Sequence, residues 1–375
     1  TDINHKVLHI LFPNQLKTRQ VYHRGMKSEK SVKKSRHVYQ LAKGENPYQV
    51  PADLFSIPSR DPLSLDKFRL ISGDAPGFTN LCGLDRLVQI LCRSSQAFTY
   101  KNKKIPFIVI AAKHGNPCGF AIDWDSPEVA IDKALFGNPV AIWGGEVITN
   151  FSITDTLAPY FHSSAKRQKL IKSSSWMLDI IIAPSFSSQA MKLLGARAKR
   201  KLFVNPALVH PILNPATWTY RFTRGSFIRQ PPQNYVFDIT KTDFVGAKKS
   251  MKQEDLDSLI IAWATAFNSN HGGNEVAFAR NRALISCGGG PSTIEAAQLA
   301  LFKAKNQKHS VKNSVFAADA FFPFTDVPKT LIKAGVIAGL VPSGGQAFEA
   351  VKTCFQKNNI PMFYLDENYR GFCYH

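Results

Sequence analysis

The stretch ALISCGGGPSTIE, residues 283–295, contains the pattern that decides the fold. Its first five residues suit a buried strand, and the glycines with Pro291 predict a tight turn. Ser292 and Glu295 then have the spacing of a capping box, which opens helices. We therefore expect a strand, a tight turn and a helix that continues to about Lys305.

The same order recurs in VIAGLVPSGGQ, residues 336–346, where a second helix is expected to begin at Gln346. Each unit directs unpaired backbone N–H groups and the positive end of a helix dipole at one point, which favours an anion or a carbonyl oxygen. Ordinary strand-to-helix turns without a ligand have the same composition, and neither turn matches the Walker or Gly-x-Gly-x-x-Gly pattern. Both interpretations stay open.

Further apolar segments continue this alternation along the chain. Residues 106–112 and 178–183 are expected to be buried strands, and from Asp255 apolar residues recur with helical spacing. Such alternation is typical of layered α/β proteins. The proline-rich segment 211–235 is the best candidate for a crossing between two domains. The predicted units are a basic N-terminal arm, residues 1–37, a first domain, residues 38–230, and a second domain, residues 231–375.

The 375-residue chain has 47 Lys and Arg against 27 Asp and Glu, a formal net charge of +20. This charge attracts polyanions without selecting among nucleic acid, anionic lipid and phosphorylated small molecules. For the basic arm, a solvated extension is favoured over a nucleic-acid contact, because no zinc-finger or RNP pattern accompanies it. The apolar runs are shorter than the roughly 18 residues of a membrane span, and no secretory signal is recognised. Six dispersed cysteines without a Cys-x-x-Cys pair indicate reduced thiols and a cytoplasmic location.

Lys113 and His114 follow directly on the predicted strand 106–112. Ligands of open α/β sheets bind beyond the carboxyl ends of strands, so this pair lies where chemistry usually occurs. A neighbouring ammonium disfavours the imidazolium form, which leaves a neutral imidazole able to accept a proton near pH 7. A solvated lysine beside a hydrogen-bonded histidine is the competing interpretation. The loop ADAFFPFTD, residues 318–326, also has two interpretations, which are core packing of its phenylalanines and a grip on a flat heterocycle.

Eight segments together resemble the AICAR formyltransferase part of the bifunctional purine-biosynthesis proteins. They follow the family order over about residues 38–375 and are GENPYQ (44–49), APGFTNLC (75–82), KHGNPCG (113–119), NPVAIWGG (138–145), IIIAPSF (180–186), ADAFFPFTD (318–326), PSGG (342–345) and YRGFCYH (369–375). The combination of KHxNPCG with DAFFPFxD is specific to this family. The IMP cyclohydrolase domain that precedes this part in the family is not recognised in the sequence.

The resemblance implies two related α/β/α domains of the cytidine-deaminase-like type, without the deaminase zinc site and with no other metal. It implies a homodimer with shared active sites that transfer a formyl group from the co-substrate 10-formyltetrahydrofolate to the 5-amino group of AICAR, giving FAICAR in IMP biosynthesis. His114 is then the expected general base, and Lys113 is expected to stabilise the charge of the transition state. Neither nucleic acid nor a membrane is an expected partner.

Other positions carry over from the resemblance one by one. The implied substrate-binding residues are Lys43, Gly144, Asp179, Asn274, Phe321 and Arg370. The implied cofactor-binding residues, on the folate side, are Asp326, Gly345, Gln346 and Ile294. His375 resembles the terminal histidine of the family.

Two departures from the family pattern affect the expected substrate site. Ala42 and Thr293 stand where the family has arginines, and Lys43 replaces at most part of one charge. A lost charge-assisted hydrogen bond costs about 1.5–3 kcal/mol, so AICAR binding is expected to weaken unless other basic residues, such as His271, compensate. The alternative is a divergent paralogue with an altered substrate or no transfer activity. A second alternative is a basic nucleic-acid-binding protein.

Overall fold

The computed structural model describes residues 35–371, except residue 163 and the segments 214–217, 247–250 and 270–272. The predicted arm up to residue 34, His271 and His375 lie outside the described residues. Within the described ranges, we find no helix with the length and apolar character needed to cross a membrane.

The elements of the first part of the chain are β1 (Arg36–Leu41), β2 (Ala52–Ser56), β3 (Arg69–Ser72), α1 (Phe78–Asn102), β4 (Phe107–Lys113), β5 (Asn116–Asp123), α2 (Pro127–Leu135), α3 (Pro139–Ile142), β6 (Glu146–Thr149), α4 (Ala158–His162), α5 (Ala165–Ile171), β7 (Ile180–Ala183), α6 (Ser188–Gly195) and β8 (Lys201–Val204). A separate hairpin of β9 (Thr219–Thr223) and β10 (Ser226–Gln230) follows. The later elements are β11 (Asp243–Val245), α7 (Gln253–Ala266), β12 (Asn274–Arg280), β13 (Ala283–Gly290), α8 (Thr293–Asn306), β14 (Val315–Ala318), α9 (Asp326–Ala334), β15 (Ala338–Pro342), α10 (Phe348–Lys357) and β16 (Met362–Leu365).

Twelve strands form one sheet in the order β11-β16-β15-β14-β12-β13-β5-β4-β6-β7-β8-β3. Each half of this sheet has the same construction. In each half an antiparallel hairpin, β4–β5 or β12–β13, pairs with an antiparallel third strand, β6 or β14. Two strands then add in parallel, β7 and β8 or β15 and β16. An antiparallel strand, β3 or β11, forms the edge. The first half comprises β3–β8 and the second half comprises β11–β16. The predicted α/β class with two related units is confirmed.

Helices cover both faces of the sheet, which gives each half three layers. Helices α1 and α7 lie over one face in a single hydrophobic core that contains residues of both halves. On the opposite face each half has its own smaller core. The predicted boundary at residues 230 and 231 lies between the two repeats and stays a prediction.

The two halves meet at β5 and β13, where Ala121 is paired with Ala283. The Ile122 N–H donates to the Arg282 carbonyl oxygen at 3.0 Å in the same place. Arg282 also belongs to the turn between β12 and β13, in which Asn281 and Arg282 have φ of 54° and 60°.

Two expectations about the glycine-rich segments are wrong. Gly288 to Gly290 are the last residues of strand β13 and do not form a tight turn. The reason is the close approach of α8, because a Cβ at Gly288 would lie 2.4 Å from the Ala300 nitrogen. The second helix begins at Phe348 and not at Gln346.

Other elements agree with their predictions. Strands β4 and β7 contain the buried cores of the two apolar runs, and α7 buries its apolar side, including Trp263. The Ser292 Oγ accepts the Glu295 N–H at 3.4 Å and donates to the Glu295 carboxylate at 2.7 Å at the start of α8.

Candidate active site

Lys113 is the last residue of β4, and His114 begins the turn that leads into β5. His114 and Gly115 both have left-handed backbones, with φ of 52° and 74°, as a tight two-residue hairpin requires. Histidine is among the residue types that adopt this conformation more often than most. The turn therefore leaves the His114 imidazole exposed at the end of the sheet.

A cavity of about 240 Å³ lies beside this turn, at the junction of the two halves. Lys113 and His114 line it from the first half, and Cys287 and Lys303 line it from the second half. The Lys303 ammonium is held there by the Cys287 carbonyl oxygen at 3.0 Å. Two lysines and a histidine at one cavity favour an anionic or electron-rich ligand.

Lys113, Gly144 and Asp179, three of the predicted residues, lie together, and we call them the Lys113 cluster. The Lys113 ammonium donates to the carbonyl oxygens of Trp143 at 3.1 Å and Gly144 at 2.5 Å. Gly144 has φ of 68°, and a Cβ at this position would lie 2.9 Å from Lys113 Nζ and 3.7 Å from the Asp179 carboxylate. Burial raises the pKa of Asp179, and the Lys113 charge opposes this shift. Gly144 thus provides the space in which the Lys113 ammonium lies.

Phe321, Gly345 and Arg370 form a second group in the second half, which we call the Phe321 cluster. The Arg370 guanidinium lies 5.6 Å from the centroid of the Phe321 ring. A Cβ at Gly345, whose φ is 77°, would lie 2.8 Å from that ring. Gly345 follows strand β15, and Arg370 follows β16 after a short 3₁₀ turn, so this cluster lies beyond the carboxyl ends of two parallel strands.

Asn274 begins β12, and Asp319 connects this strand start to the segment of Arg370. The Asn274 amide donates to the carbonyl oxygens of Gly290 and Pro291 at 3.3 and 3.1 Å. Asp319 accepts the Glu275 N–H at 2.7 Å through its carboxylate and the Gly371 N–H at 3.0 Å through its carbonyl oxygen. Burial raises the pKa of Asp319 well above its usual range. The start of β12 and the segment of Arg370 are therefore joined through one buried acid.

Lys43 lies at the positive end of helix α1. The Phe78 N–H donates to the Lys43 carbonyl oxygen at 2.9 Å, and a Cβ at Gly77 would be 3.5 Å from Lys43 Cγ. The Lys43 side chain is exposed. A lysine at a helix N-terminus is suited to a phosphate.

The four predicted folate-side residues lie in or next to the first turns of helices in the second half. Asp326 is exposed and accepts the Val327 N–H at 2.8 Å, Ile294 packs against the core of the second half, and Gly345 and Gln346 precede α10. None of these four is among the described residues that line the cavity beside Lys113 and His114. Within one chain, the described residues of the Phe321 cluster do not line this cavity either.

Glu146, Cys287 and Lys303 were not predicted to belong to the site. Burial raises the pKa of Glu146 to about 7, and the Lys113 charge opposes this shift. For Glu146 the sequence signal is an acid directly before the apolar pair Val147 and Ile148 in the strand EVIT. Across the described ranges, no group of three or more His, Cys, Asp or Glu could hold a metal ion.

Comparison with known proteins gives consistent matches. The family model described as "AICARFT/IMPCHase bienzyme" matches residues 11–303. The bifunctional purine biosynthesis protein PurH of Natranaerobius thermophilus is 28% identical over 331 residues, which are 87% of this chain and 56% of that protein. PurH of Anoxybacillus flavithermus is 27% identical over 305 residues, which are 81% of this chain and 53% of that protein. The chain thus spans about half the length of these curated relatives.

Among solved structures, a dCMP deaminase from the cyanophage S-TIM5 covers 31% of this chain at 19% identity. Its TM-score is 0.24, which is too low to support a conclusion.

Proposed function

Because the chain belongs to the AICARFT/IMPCHase bienzyme family, we propose that it acts in purine biosynthesis as a formyltransferase. The proposed reaction moves the formyl group of 10-formyltetrahydrofolate to the 5-amino group of AICAR. The observation that carries this proposal is the placement of Lys113 and His114 at the end of β4, beside a cavity between the two halves.

The chemistry requires a base and a positive charge at the same place. The AICAR amine is a weak nucleophile because its lone pair is delocalised into the ring. In the proposed step its nitrogen attacks the formyl carbon, His114 takes the amine proton, and the Lys113 ammonium stabilises the oxyanion. The bond between the formyl carbon and the folate nitrogen then breaks, and the proton returns to that nitrogen.

Phe321 and Arg370 of the Phe321 cluster support the substrate side of this proposal. An aromatic ring next to a guanidinium suits a nucleotide, because the ring contacts the heterocycle and the guanidinium binds phosphate by charge-assisted hydrogen bonds. Lys43 at the start of α1 offers a second positive charge, and Asn274 offers an amide. We assign the folate to the side of Asp326, Gly345, Gln346 and Ile294.

The separation of the two clusters within one chain favours a shared site. The Lys113 cluster belongs to the first half, and the Phe321 cluster belongs to the second half. We propose that two copies of the chain associate so that each reaction centre combines the Lys113 cluster of one copy with the Phe321 cluster of the other.

The test is formyl transfer by the purified protein with 10-formyltetrahydrofolate and AICAR. We expect FAICAR to form, and we expect His114→Ala to reduce the rate by about 10²–10⁴-fold, the usual contribution of a general base. His210→Ala, which removes an exposed histidine far along the chain, is the control. Absence of product at saturating substrates would reject the proposal.

Ala42 and Thr293 favour one alternative, a paralogue that binds ligands without transferring the formyl group. This alternative predicts that AICAR and the folate raise the Tm while no FAICAR appears. Turnover would exclude it.

A further inference from the structure

Lys303 is a half-buried lysine to which the proposed reaction gives no role. It lies in the last turn of α8, and its ammonium donates to the Cys287 carbonyl oxygen of β13 at 3.0 Å. The ion pairs formed among the described residues do not include Lys303. An ammonium has three donors and the Cys287 carbonyl oxygen takes one, so Lys303 can also bind an anionic ligand.

The cavity that Lys303 lines has a one-sided charge. Lys113 and His114 line it from the first half of the chain, and Lys303 lines it from the second half. Among the described residues, its lining contains two lysines and no aspartate or glutamate. Two positive charges at a cavity without a carboxylate attract an anion. The amides of Asn138 and Gln307 line the same cavity and can add hydrogen bonds to it.

Contacts between the two halves fix the position of Lys303. His309, which follows α8, donates from its ring Nε2 to the Gly137 carbonyl oxygen of the first half at 2.7 Å. Gly137 precedes Asn138, a residue of the cavity wall. Helix α8 also packs closely on β13, as the short distance at Gly288 shows. Lys303 therefore projects from a helix that is held in place, which a precise ion-binding site requires.

We propose that this cavity is a binding site for a small oxyanion, a phosphate or a carboxylate group, and that Lys303 is its binding residue from the second half. The inference rests on the proposed function for one source of this group, a substrate, and free phosphate is the other source. The cavity volume of about 240 Å³ is below the roughly 300–1,000 Å³ of pockets that enclose a whole ligand. It therefore suits a charged group of a larger substrate or a free ion.

The test is a calorimetric titration of the purified protein with inorganic phosphate at constant ionic strength. We expect saturable binding by the wild type. Lys303→Gln removes the charge but keeps a donor for the Cys287 carbonyl oxygen, and it should weaken binding by about 10–100-fold. Lys303→Arg, which keeps the charge, should retain most of the affinity. Lys305→Gln removes an exposed lysine from the same turn of α8 and is the matched control, with an unchanged Kd.

Inhibition of formyl transfer by phosphate identifies the source of the bound group, because an anion beside His114 obstructs the proposed reaction centre. Inhibition that is competitive with 10-formyltetrahydrofolate assigns the cavity to a carboxylate of the folate. Inhibition that is competitive with AICAR assigns it to the phosphate of the nucleotide. Inhibition that is competitive with neither assigns it to free phosphate.

Three results would overturn the inference. They are absence of phosphate binding in the wild type, equal affinity in Lys303→Gln and Lys305→Gln, and binding that leaves formyl transfer unaffected. A phosphate bound elsewhere, for example at Arg370, gives the second of these results. Absence of transfer in the protein without phosphate would instead reject the proposed function, because the titration does not depend on turnover.

Discussion

The Asp257 carboxylate accepts a hydrogen bond from the Lys101 ammonium at 2.7 Å, with both side chains almost fully buried. Asp257 lies on α7 and Lys101 lies on α1, so this ion pair joins the two halves of the molecule. Arg282 and Trp124 bind the second oxygen of the same carboxylate at 2.9 and 3.0 Å. One acid thereby holds three donors at the junction.

Asp257→Asn should therefore be strongly destabilising. The substitution leaves Lys101 buried without an opposite charge, which typically costs about 3–5 kcal/mol in the free energy of unfolding. Chemical denaturation measures this loss. Glu349→Gln, which removes an exposed partner of Lys352, should change stability by less than about 1 kcal/mol, and equal losses in the two variants would contradict the assignment.

Gly288→Ala should also lower stability, because the new Cβ would meet the backbone of α8 at Ala300. Overpacking of this kind costs about 1–3 kcal/mol. Gly290→Ala is the matched control in the same strand, since its Cβ would have its nearest contact at 3.6 Å. Thermal unfolding of both variants tests the prediction, which fails if the two Tm values are equally lowered.

Gly144→Ala should lower the rate of formyl transfer by more than its loss of stability explains. The Cβ would push against the Lys113 ammonium, and the left-handed backbone adds a cost of about 1–2 kcal/mol. Gly225→Ala has the same φ of 68° with nothing within 4 Å of its Cβ. We expect Gly144→Ala and Gly225→Ala to be destabilised to a similar extent and only Gly144→Ala to lose activity. Equal activity in the two variants would contradict this expectation.

Arg370→Ala should weaken AICAR binding by about 10–100-fold, the effect of losing a charge-assisted interaction of about 1.5–3 kcal/mol. Calorimetric titration measures the Kd. Arg224→Ala, in the exposed turn between β9 and β10, should leave the Kd unchanged. Unaltered affinity in Arg370→Ala would exclude this side chain from phosphate binding.

Stability should also depend on Glu146 in a defined pH window. Burial raises its pKa from 4.5 to about 7, so between these values the folded protein keeps a proton that the unfolded chain releases. The free energy of unfolding should therefore fall as pH rises through this window, by about 3 kcal/mol at most, and stay level above it. In Glu146→Gln this component should disappear when unfolding is measured at several pH values.

Several features of the fold could be predicted because they depend on local pattern. Strand β4 and helix α7 follow from apolar spacing, and the turn at Gly345 follows from its glycines. The Gly288 segment was predicted wrongly, because the sequence does not distinguish a glycine that permits a tight turn from a glycine that permits close packing of a helix. The start of α10 at Phe348 shows that the end of a turn is less well determined than its presence.

The site could be predicted only in part, for a related reason. Lys113 and His114 are adjacent in the chain and end a recognisable strand, so their placement follows from local structure. The Lys101–Asp257 pair spans 156 positions, and the cavity contact of Lys303 depends on how the halves pack. Glu146 could not be identified because its environment is created by Gly83, far earlier in the sequence.

The hairpin turns of the two repeats have different roles. In the first repeat the turn between β4 and β5 contains His114 at the proposed reaction centre. In the second repeat the turn between β12 and β13 contains Arg282, which forms an ion pair with Asp257 at the junction of the halves. Duplication of one structural unit thus releases each copy from the constraints on the other. Exchanging the two turns should therefore damage catalysis at one location and cohesion at the other.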